Sequence, residues 1–339
     1  LEKKVSWLSA WMIHNANYIR PSIDGIKVGG HQASSASIVS IMVALYFKIL
    51  KTEDRVAVKP HAAPVFHSIQ YLLGNQSKDN LENFRAFGGA QSYPSRTKDT
   101  DDVDYSTGSV GLGGAITIFG SLIQDYITVH GLNRNNFKHG KMVALLGDAE
   151  LDEGNIYEAL LEGAKQNVRN CWWIIDYNRQ SLDAVVADKL HLKIDELFAS
   201  MGWRVVTLKY GKKLQELSKI KGGNKILNWI DKCPNDLYSA LSYMGSKGWR
   251  EHLRKDLKKY KDSLKIINSL SDEELNDTMS NLAGNDVEAV LEAFIDSSLA
   301  TLSDSLDISM LADSTSSIQD ITPLELGKQI WANGKLFSF

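Results

Sequence analysis

The stretch KMVALLGDAELDEGNIYEALLEGAKQNVRNCWWIIDYNRQ, residues 141–180, decides the fold. Its first part, Lys141–Gly147, is largely apolar and predicts a buried strand, and Cys171–Tyr177 predicts a second one. Between them, Asp152–Gln166 has the spacing of an amphipathic helix. Two strands joined by one helix are expected to pair in parallel, so both end at the same edge of the sheet. Ligands of open α/β sheets bind at that edge.

Two oxygen-bearing side chains follow these strands. Asp148 comes after the first strand and Asn178 after the second, and a backbone carbonyl near Gln180 could add a third oxygen. Such ligands suit Mg²⁺ or Ca²⁺ rather than zinc. A magnesium ion held by so few protein groups usually also binds phosphate oxygens, which implies a bound diphosphate. The alternative is that Asp148 caps the helix that follows it.

This pattern has a family resemblance. GDAELDE at 147–153, with Asn178 and Gln180 downstream, resembles the thiamine diphosphate motif of transketolases and 2-oxo-acid dehydrogenase E1 components. The chain is most similar to the N-terminal, diphosphate-binding part of homodimeric-type pyruvate dehydrogenase E1, over roughly residues 5–298. Five further stretches agree in order: GGHQASS at 29–35, KPHAAP at 59–64, QSYP at 91–94, STGSVGLG at 106–113 and MGW at 201–203.

The resemblance implies an α/β fold, with a parallel sheet flanked by helices (the thiamine diphosphate-binding fold, PP type) and a helical C-terminal extension. It divides the chain into an α/β domain that binds thiamine diphosphate and Mg²⁺ (1–210), a mostly helical continuation (211–300) and an atypical C-terminal segment (301–339). In the family, a strand follows a helix like Asp286–Phe294 and completes the sheet. We expect that strand to be missing here.

The resemblance also assigns a cofactor site. Magnesium would be held by Asp148, Asn178 and Gln180, and the cofactor would lie against two groups of residues: Gly147, Ala149, Glu150 and Gln180, and Ser109, Val110 and Gly111. Ser109 and Val110 would contact the aminopyrimidine side. A glycine-rich loop before a helix suits an anion by itself, but it also suits tight packing of a helix on a sheet. Position 116 is Ile, so the loop lacks the dinucleotide fingerprint G-x-G-x-x-G.

Three residues are candidates for catalysis. His31 and His61 each open a predicted helix, and by resemblance both line the funnel to the thiazolium ring. Histidine can move protons near neutral pH, although either residue could instead be a structural histidine. Tyr93, in Ser-Tyr-Pro, could donate its hydroxyl in the active site or simply pack on Pro94.

Composition excludes several classes of protein. The chain has 339 residues and a net charge of −3, which argues against nucleic-acid binding. Its longest apolar run, Ala36–Phe47, is too short to span a bilayer, so we expect no membrane segment. Two cysteines do not form a disulfide framework, and we expect a cytoplasmic protein. Neither H-E-x-x-H nor C-x-x-C occurs, which argues against zinc.

The resemblance implies decarboxylation of a pyruvate-like 2-oxo acid with transfer of the acyl group. The glutamate that protonates the cofactor pyrimidine comes from a pyrimidine domain in the family. We therefore expect a partner subunit or a second half of the same polypeptide, in a homo- or hetero-oligomer, and no turnover by this chain alone. A lipoyl-bearing acyltransferase is a further candidate partner.

Three alternatives stay open. The first is transketolase-type ketol transfer. The second is a non-catalytic relic or interaction module of the same fold. It is favoured by Ala149 in place of the usual glycine, by Asn285 in place of the usual histidine and by the missing strand, and it is opposed by the intact Asp148, Asn178 and His31. The third is a nicotinamide dehydrogenase, which the missing glycine fingerprint and the missing acidic ribose ligand oppose.

Overall fold

A five-stranded parallel sheet organises the chain. The computed structural model describes residues 1–22, 25–132, 138–177, 190–305 and 335–338. Its strands are β1 Arg55–Ala57, β2 Met142–Gly147, β3 Cys171–Asp176, β4 Arg204–Thr207 and β5 Lys335–Ser338. They lie in the order β1-β2-β3-β5-β4, and every pair is parallel. The expected α/β class is confirmed.

The helices of the described chain are α1 Glu2–His14, α2 Gln32–Ala36, α3 Val39–Ala44, α4 Ala63–Leu73, α5 Lys78–Glu82, α6 Leu112–Val129, α7 Gly154–Lys165, α8 Leu190–Ser200, α9 Lys212–Lys219, α10 Gly223–Lys232, α11 Asn235–Met244, α12 Ser246–Asp256, α13 Lys261–Ser269, α14 Asp272–Met279 and α15 Val287–Ser305. Helices α1 and α3 each continue into a π-helical turn, Asn15–Ile19 and Leu45–Ile49.

The predicted strand–helix–strand unit is present. Strand β2 pairs in parallel with β3, with Met142 opposite Cys171 and Gly147 opposite Asp176, and α7 forms the crossover. Every residue of both strands is buried. Strands covered on both faces by helices carry continuous apolar runs rather than alternating ones, which is why both segments could be recognised from the sequence.

Each face of the sheet has its own apolar core. Successive strand residues point to opposite faces. Val143, Leu145, Trp172 and Ile174 therefore pack with helices α3, α4 and α15. The alternate positions pack with α6, α7 and α8, and they include Trp173, whose indole N–H donates to Thr117 Oγ1 at 3.0 Å.

Helices α9–α14 form a separate helical lobe with its own core around the fully buried Trp249. Their apolar residues recur at helical spacing, as Leu214 and Leu217 do in α9 and Ile226 and Ile230 do in α10. Each helix of this lobe can thus bury one face while its charged residues stay outside.

Two strands differ from the sequence-based expectation. We expected no strand after Phe294 to complete the sheet, but Lys335–Ser338 occupies the place between β3 and β4. The expectation was wrong because it required a family sequence pattern, whereas a parallel ladder needs only backbone groups and a short extended segment. Strand β1 was not predicted, because a strand as short as Arg55–Ala57 carries little periodic signal.

Two helical segments, Gln32–Ile49 and Leu112–Val129, are long and apolar enough to cross a membrane by length and composition. Half of the first segment and a third of the second are buried inside the protein. Core helices of α/β domains meet the same criterion because they also carry long apolar faces.

Replacement of Gly114 by alanine tests how closely α6 packs on the sheet. A Cβ at this position would lie 2.7 Å from Ile156 Cδ1 and 3.0 Å from Trp173 Cζ2. Overpacking of this kind costs about 1–3 kcal/mol, against about 1 kcal/mol gained in helix propensity. We expect Gly114→Ala to lower the free energy of unfolding, measured by urea denaturation. In Gly154→Ala, where nothing lies within 4 Å of the added carbon, stability should not fall.

Candidate functional site

Asp148 lies at the carboxyl edge of β2 with its side chain buried. Its Oδ1 accepts a hydrogen bond from the backbone N–H of Ala149 at 3.1 Å. The residue before α7 is Glu153, and no side chain caps that helix. The alternative interpretation of Asp148 as the cap of α7 is therefore wrong. Its carboxylate is instead a buried oxygen donor at the edge where the fold places ligands.

A buried ion pair joins the ends of β1 and β3. Lys59 Nζ lies 2.7 Å from Asp176 Oδ2, and the two side chains are 4% and 5% exposed. Ser37 Oγ donates to the same oxygen at 2.7 Å. A Cβ added at Gly147 would lie 3.3 Å from Lys59 Cε, so the end of β2 packs closely on this lysine. Neither Lys59 nor Asp176 was assigned a role from the sequence.

Glu150 adds a third carboxylate at this edge. Its Oε1 accepts the backbone N–H of Gly147 at 3.3 Å, and its Oε2 is buried with no hydrogen-bond partner among the described residues. Burial raises the pKa of Glu150 to about 7, although the backbone amides of Gly147 and Gly111 and the charge of Lys59 act in the opposite direction. The carboxyl group is therefore partly protonated near neutral pH and can exchange a proton.

The three predicted catalytic residues line one cavity. It has a volume of about 280 Å³, and His31, His61 and Tyr93 form part of its wall together with Lys27 and Arg85. The other described residues of its lining are apolar or glycine, with no carboxylate among them. His61 and Tyr93 meet edge to face, with ring centroids 6.3 Å apart. The structure thus brings together side chains from three separate segments of the chain.

The electrostatics of the cavity favour a neutral His61. Burial lowers the pKa of His61, and the positive charges of Lys59, Arg85 and His31 lower it further. An imidazole with a pKa below the usual value of about 6.5 is uncharged at neutral pH and can accept a proton.

The glycine-rich loop connects the cavity with the strand edge. Tyr93 Oη and Ser109 Oγ are 3.0 Å apart, and Thr107 Oγ1 donates to the carbonyl of Val58 at 2.7 Å. Gly111, which precedes α6, has φ of 72°, a conformation that favours glycine. Val110 is 45% exposed, and its carbonyl accepts from Asn155 Nδ2 at 2.7 Å. The predicted cofactor residues of this loop therefore stand beside Tyr93, and their role stays a prediction.

His67 forms a second buried cluster, with Asp99 and Asp101. Its Nδ1 lies 2.6 Å from Asp101 Oδ2, and its Nε2 lies 3.0 Å from the carbonyl of Gln91. A carboxylate and a carbonyl both accept hydrogen bonds, so this arrangement suits the protonated imidazole, which donates from both ring nitrogens. Burial alone would lower the pKa of His67, but the hydrogen bond and charge of Asp101, with Asp99, outweigh it and raise that pKa. This arrangement holds the loop that carries Tyr93 against α4.

The His67–Asp101 pair predicts a pH dependence of stability. Because the folded-state pKa of His67 is above its unfolded value of about 6.5, the pair stabilises fully below that pH. The stabilisation is lost as pH rises through the folded-state pKa. Glu150, with its raised pKa, contributes in the same direction up to about pH 7. We expect Asp101→Asn to flatten the decline in the free energy of unfolding, measured by urea denaturation between pH 6 and 9. An unchanged slope would refute the charged pair.

The predicted site falls into a described and an undescribed part. Gly147, Asp148, Ala149 and Glu150 lie together at the edge of β2. Asn178 and Gln180, predicted to complete the metal site, lie outside the described residues. The sequence analysis missed Lys59, Asp176, Lys27 and Arg85 as site residues. Lys59 is the first residue of KPHAAP. Its ion pair with Asp176, on the far side of β2, is a tertiary contact that no local sequence pattern shows.

A parallel sheet with helices on both faces, and with buried carboxylates and a glycine-rich loop at its carboxyl edge, defines the class of α/β proteins that bind ligands at this edge. The profile of the family "Transketolase, thiamine diphosphate binding domain" matches residues 21–225, more than half of the 339 residues. The chain belongs to this family of thiamine diphosphate-binding domains.

Curated relatives and solved structures agree with this assignment. The pyruvate dehydrogenase E1 component of Mycolicibacterium smegmatis is 27% identical over 261 residues, which are 73% of this chain and 27% of the relative. The component from Escherichia coli K12 is 25% identical over 307 residues, 87% of this chain and 34% of the relative. The chain thus spans about a third of the length of the curated relatives it matches.

The structural likeness is to transketolases. Transketolase from Leishmania mexicana superimposes with a TM-score of 0.52 at 20% identity, covering 69% of this chain and 34% of that one. The enzyme from Campylobacter jejuni gives 0.52 at 18% identity, covering 92% of this chain and 49% of that one. At such identities these structures show the fold alone, and they confirm the thiamine diphosphate-binding fold expected from the motifs.

Proposed function

We propose that this chain is the diphosphate-binding part of an enzyme that decarboxylates a pyruvate-like 2-oxo acid and transfers the acyl group. The observation that carries the proposal is the cluster of buried carboxylates at the edge of β2 and β3. Asp148, Glu150 and Asp176 are all buried there, and Lys59, which pairs with Asp176, is the one buried lysine or arginine among the described residues. Buried negative charge of this kind is costly unless a cation compensates it.

A magnesium ion with thiamine diphosphate fits this edge. Its donors are oxygens, as a hard cation prefers, and the Oε2 atom of Glu150 lacks a partner among the described residues. Asp148 would bind the ion, with Asn178 and Gln180 as the further ligands suggested by the motif. When bound, thiamine diphosphate supplies the nucleophilic carbon that attacks a 2-oxo group. The glycine-rich loop at Ser109–Gly111 would border its pyrimidine end.

The residues of the cavity support proton transfer. His61 is uncharged at neutral pH, because burial and neighbouring cations lower its pKa, so it can accept a proton from a substrate hydroxyl or a carboxyl group. His31 lies across the same cavity, and the Tyr93 hydroxyl, held near Ser109, can donate a hydrogen bond. Together these three side chains would orient a small substrate and move protons.

The greater length of the relatives supports the proposal that a further domain or subunit completes the site. Each matched pyruvate dehydrogenase E1 component extends well beyond the aligned region. We infer that a pyrimidine-binding domain, on a partner subunit or on a further part of the polypeptide, completes the site in a homo- or hetero-oligomer. A lipoyl-bearing acyltransferase would then receive the acyl group.

The proposal is tested by titration with thiamine diphosphate in Mg²⁺ and in EDTA, followed by calorimetry, for the chain alone and with a pyrimidine-domain partner. We expect metal-dependent binding, strengthened by the partner, and release of CO₂ from pyruvate only in the pair. Turnover of ketose phosphates instead of pyruvate would identify ketol transfer. Binding without turnover in every pairing would identify a relic of the fold, and the absence of metal-dependent binding would refute the site.

A further inference from the structure

We propose that Arg85 binds the anionic group of the substrate and so selects small anions for the cavity beside His61. This inference rests on the proposed function, because it assigns a residue to substrate recognition at the same site. Arg85 ends the segment LENFR, residues 81–85. This segment lies outside the sequence motifs that predicted the site.

The charge of the cavity is the first argument. Arg85 and Lys27 both line it, and among the described residues no carboxylate does. A guanidinium presents its donors in a planar fork that matches a carboxylate or a phosphate. A cavity of about 280 Å³ whose described wall carries two cations and no anion suits a small negatively charged ligand.

The hydrogen bonding of Arg85 is the second argument. Its Nη1 donates to the carbonyl of Val28 at 2.7 Å, which fixes the plane of the guanidinium. Its Nε is buried and has no partner among the described residues. Because this nitrogen is enclosed by protein atoms, a ligand in the cavity would meet the terminal nitrogens of the guanidinium instead. A Cβ at Gly30 would lie 3.1 Å from Nη2, so the glycine next to His31 leaves room for the guanidinium.

The backbone of Arg85 is the third argument. Its φ is 62°, one of two positive values among the non-glycine residues of the described chain. This conformation is unfavourable for a long side chain, and such strain persists only where surrounding contacts hold it. Here the backbone N–H of Arg85 donates to the carbonyl of Ala90 at 2.8 Å, and its guanidinium donates to the carbonyl of Val28. The strained residue is thus held in place, with its charge at the cavity.

The test compares charged and uncharged ligands in Arg85→Gln, using the chain with its pyrimidine-domain partner. The probes are pyruvate, its uncharged methyl ester and inorganic phosphate. A charged hydrogen bond is worth about 1.5–3 kcal/mol, so Arg85→Gln should weaken anion binding roughly tenfold to a hundredfold. Affinity for the ester should stay unchanged. Loss for pyruvate alone identifies a carboxylate substrate, and loss for phosphate alone identifies a phosphorylated one.

Arg20→Gln is the matched control. It removes a hydrogen bond to the same segment, but Arg20 does not line the cavity. Three results would overturn the proposal. Arg85→Gln could weaken binding of the ester as much as binding of the anions, Arg20→Gln could weaken anion binding as much as Arg85→Gln does, or Arg85→Gln could leave the affinity for every probe unchanged. Each of these outcomes would leave Arg85 with at most a structural role in holding Val28.

The imidazole of His61 gives a readout that is independent of turnover. Its pKa, followed by NMR, should rise in Arg85→Gln because a nearby positive charge is removed. It should also rise when pyruvate or phosphate binds to the unmodified protein, and rise less in the variant. Affinity for thiamine diphosphate in Mg²⁺ is measured on the same samples. If that binding is absent while the anion response persists, the proposed function fails and the anion site stands.

Discussion

Replacement of Asp148 by asparagine is expected to abolish metal-dependent binding of thiamine diphosphate. The substitution keeps the size of the side chain and removes the negative charge that the cation requires. Loss of a residue that only supports a metal ligand costs about 10–100-fold in metal affinity, so loss of a ligand itself should cost more than about 100-fold. Calorimetric titration with cofactor in Mg²⁺ and in EDTA measures the effect, and urea denaturation checks that the fold is kept.

Asp152→Asn is the control for this change. Asp152 belongs to the same short 3₁₀ helix, Asp148–Asp152, but its side chain is exposed. We expect its affinity and its sensitivity to EDTA to match those of the unmodified chain. If Asp148→Asn bound the cofactor with unchanged affinity, the metal would have to lie elsewhere.

The second large effect is expected on stability, from Lys59→Met. This change leaves the carboxylate of Asp176 buried, with the hydroxyl of Ser37 as its remaining side-chain donor among the described contacts. Removal of one partner from a buried ion pair costs about 3–5 kcal/mol, because the other charge stays buried without compensation. Urea denaturation should show this loss in the free energy of unfolding.

A double variant separates the charge from the packing. In Lys59→Met with Asp176→Asn neither side chain is charged, and the amide of residue 176 can still accept from Ser37. We expect it to recover most of the lost stability. Lys209→Met breaks an exposed pair with Asp231, in which the side chains are 40% and 39% exposed, and should change stability by at most about 1 kcal/mol. A similar small change in Lys59→Met would contradict a buried pair.

The central part of the fold follows from local sequence properties. The run Met142–Gly147 has no charged residue, Cys171–Asp176 is apolar up to its final aspartate, and an amphipathic helix lies between them. Period and composition therefore predict two buried parallel strands and a crossover, and the fold then places Asp148 at the ligand edge. The short strand β1 and the C-terminal strand β5 were not predicted. Their own composition does not mark them as strands, and it is pairing with the neighbouring strands that makes them extended.

The sequence by itself determined the strand–helix–strand unit, the order of the family motifs and the identity of His31, His61 and Tyr93 as candidates, because these depend on residue type and spacing along the chain. Only the tertiary structure decided that these three side chains share a cavity with Arg85, and that Lys59 neutralises Asp176. Charge and proximity act through space, and these contacts join residues far apart in the chain, so no local pattern encodes them.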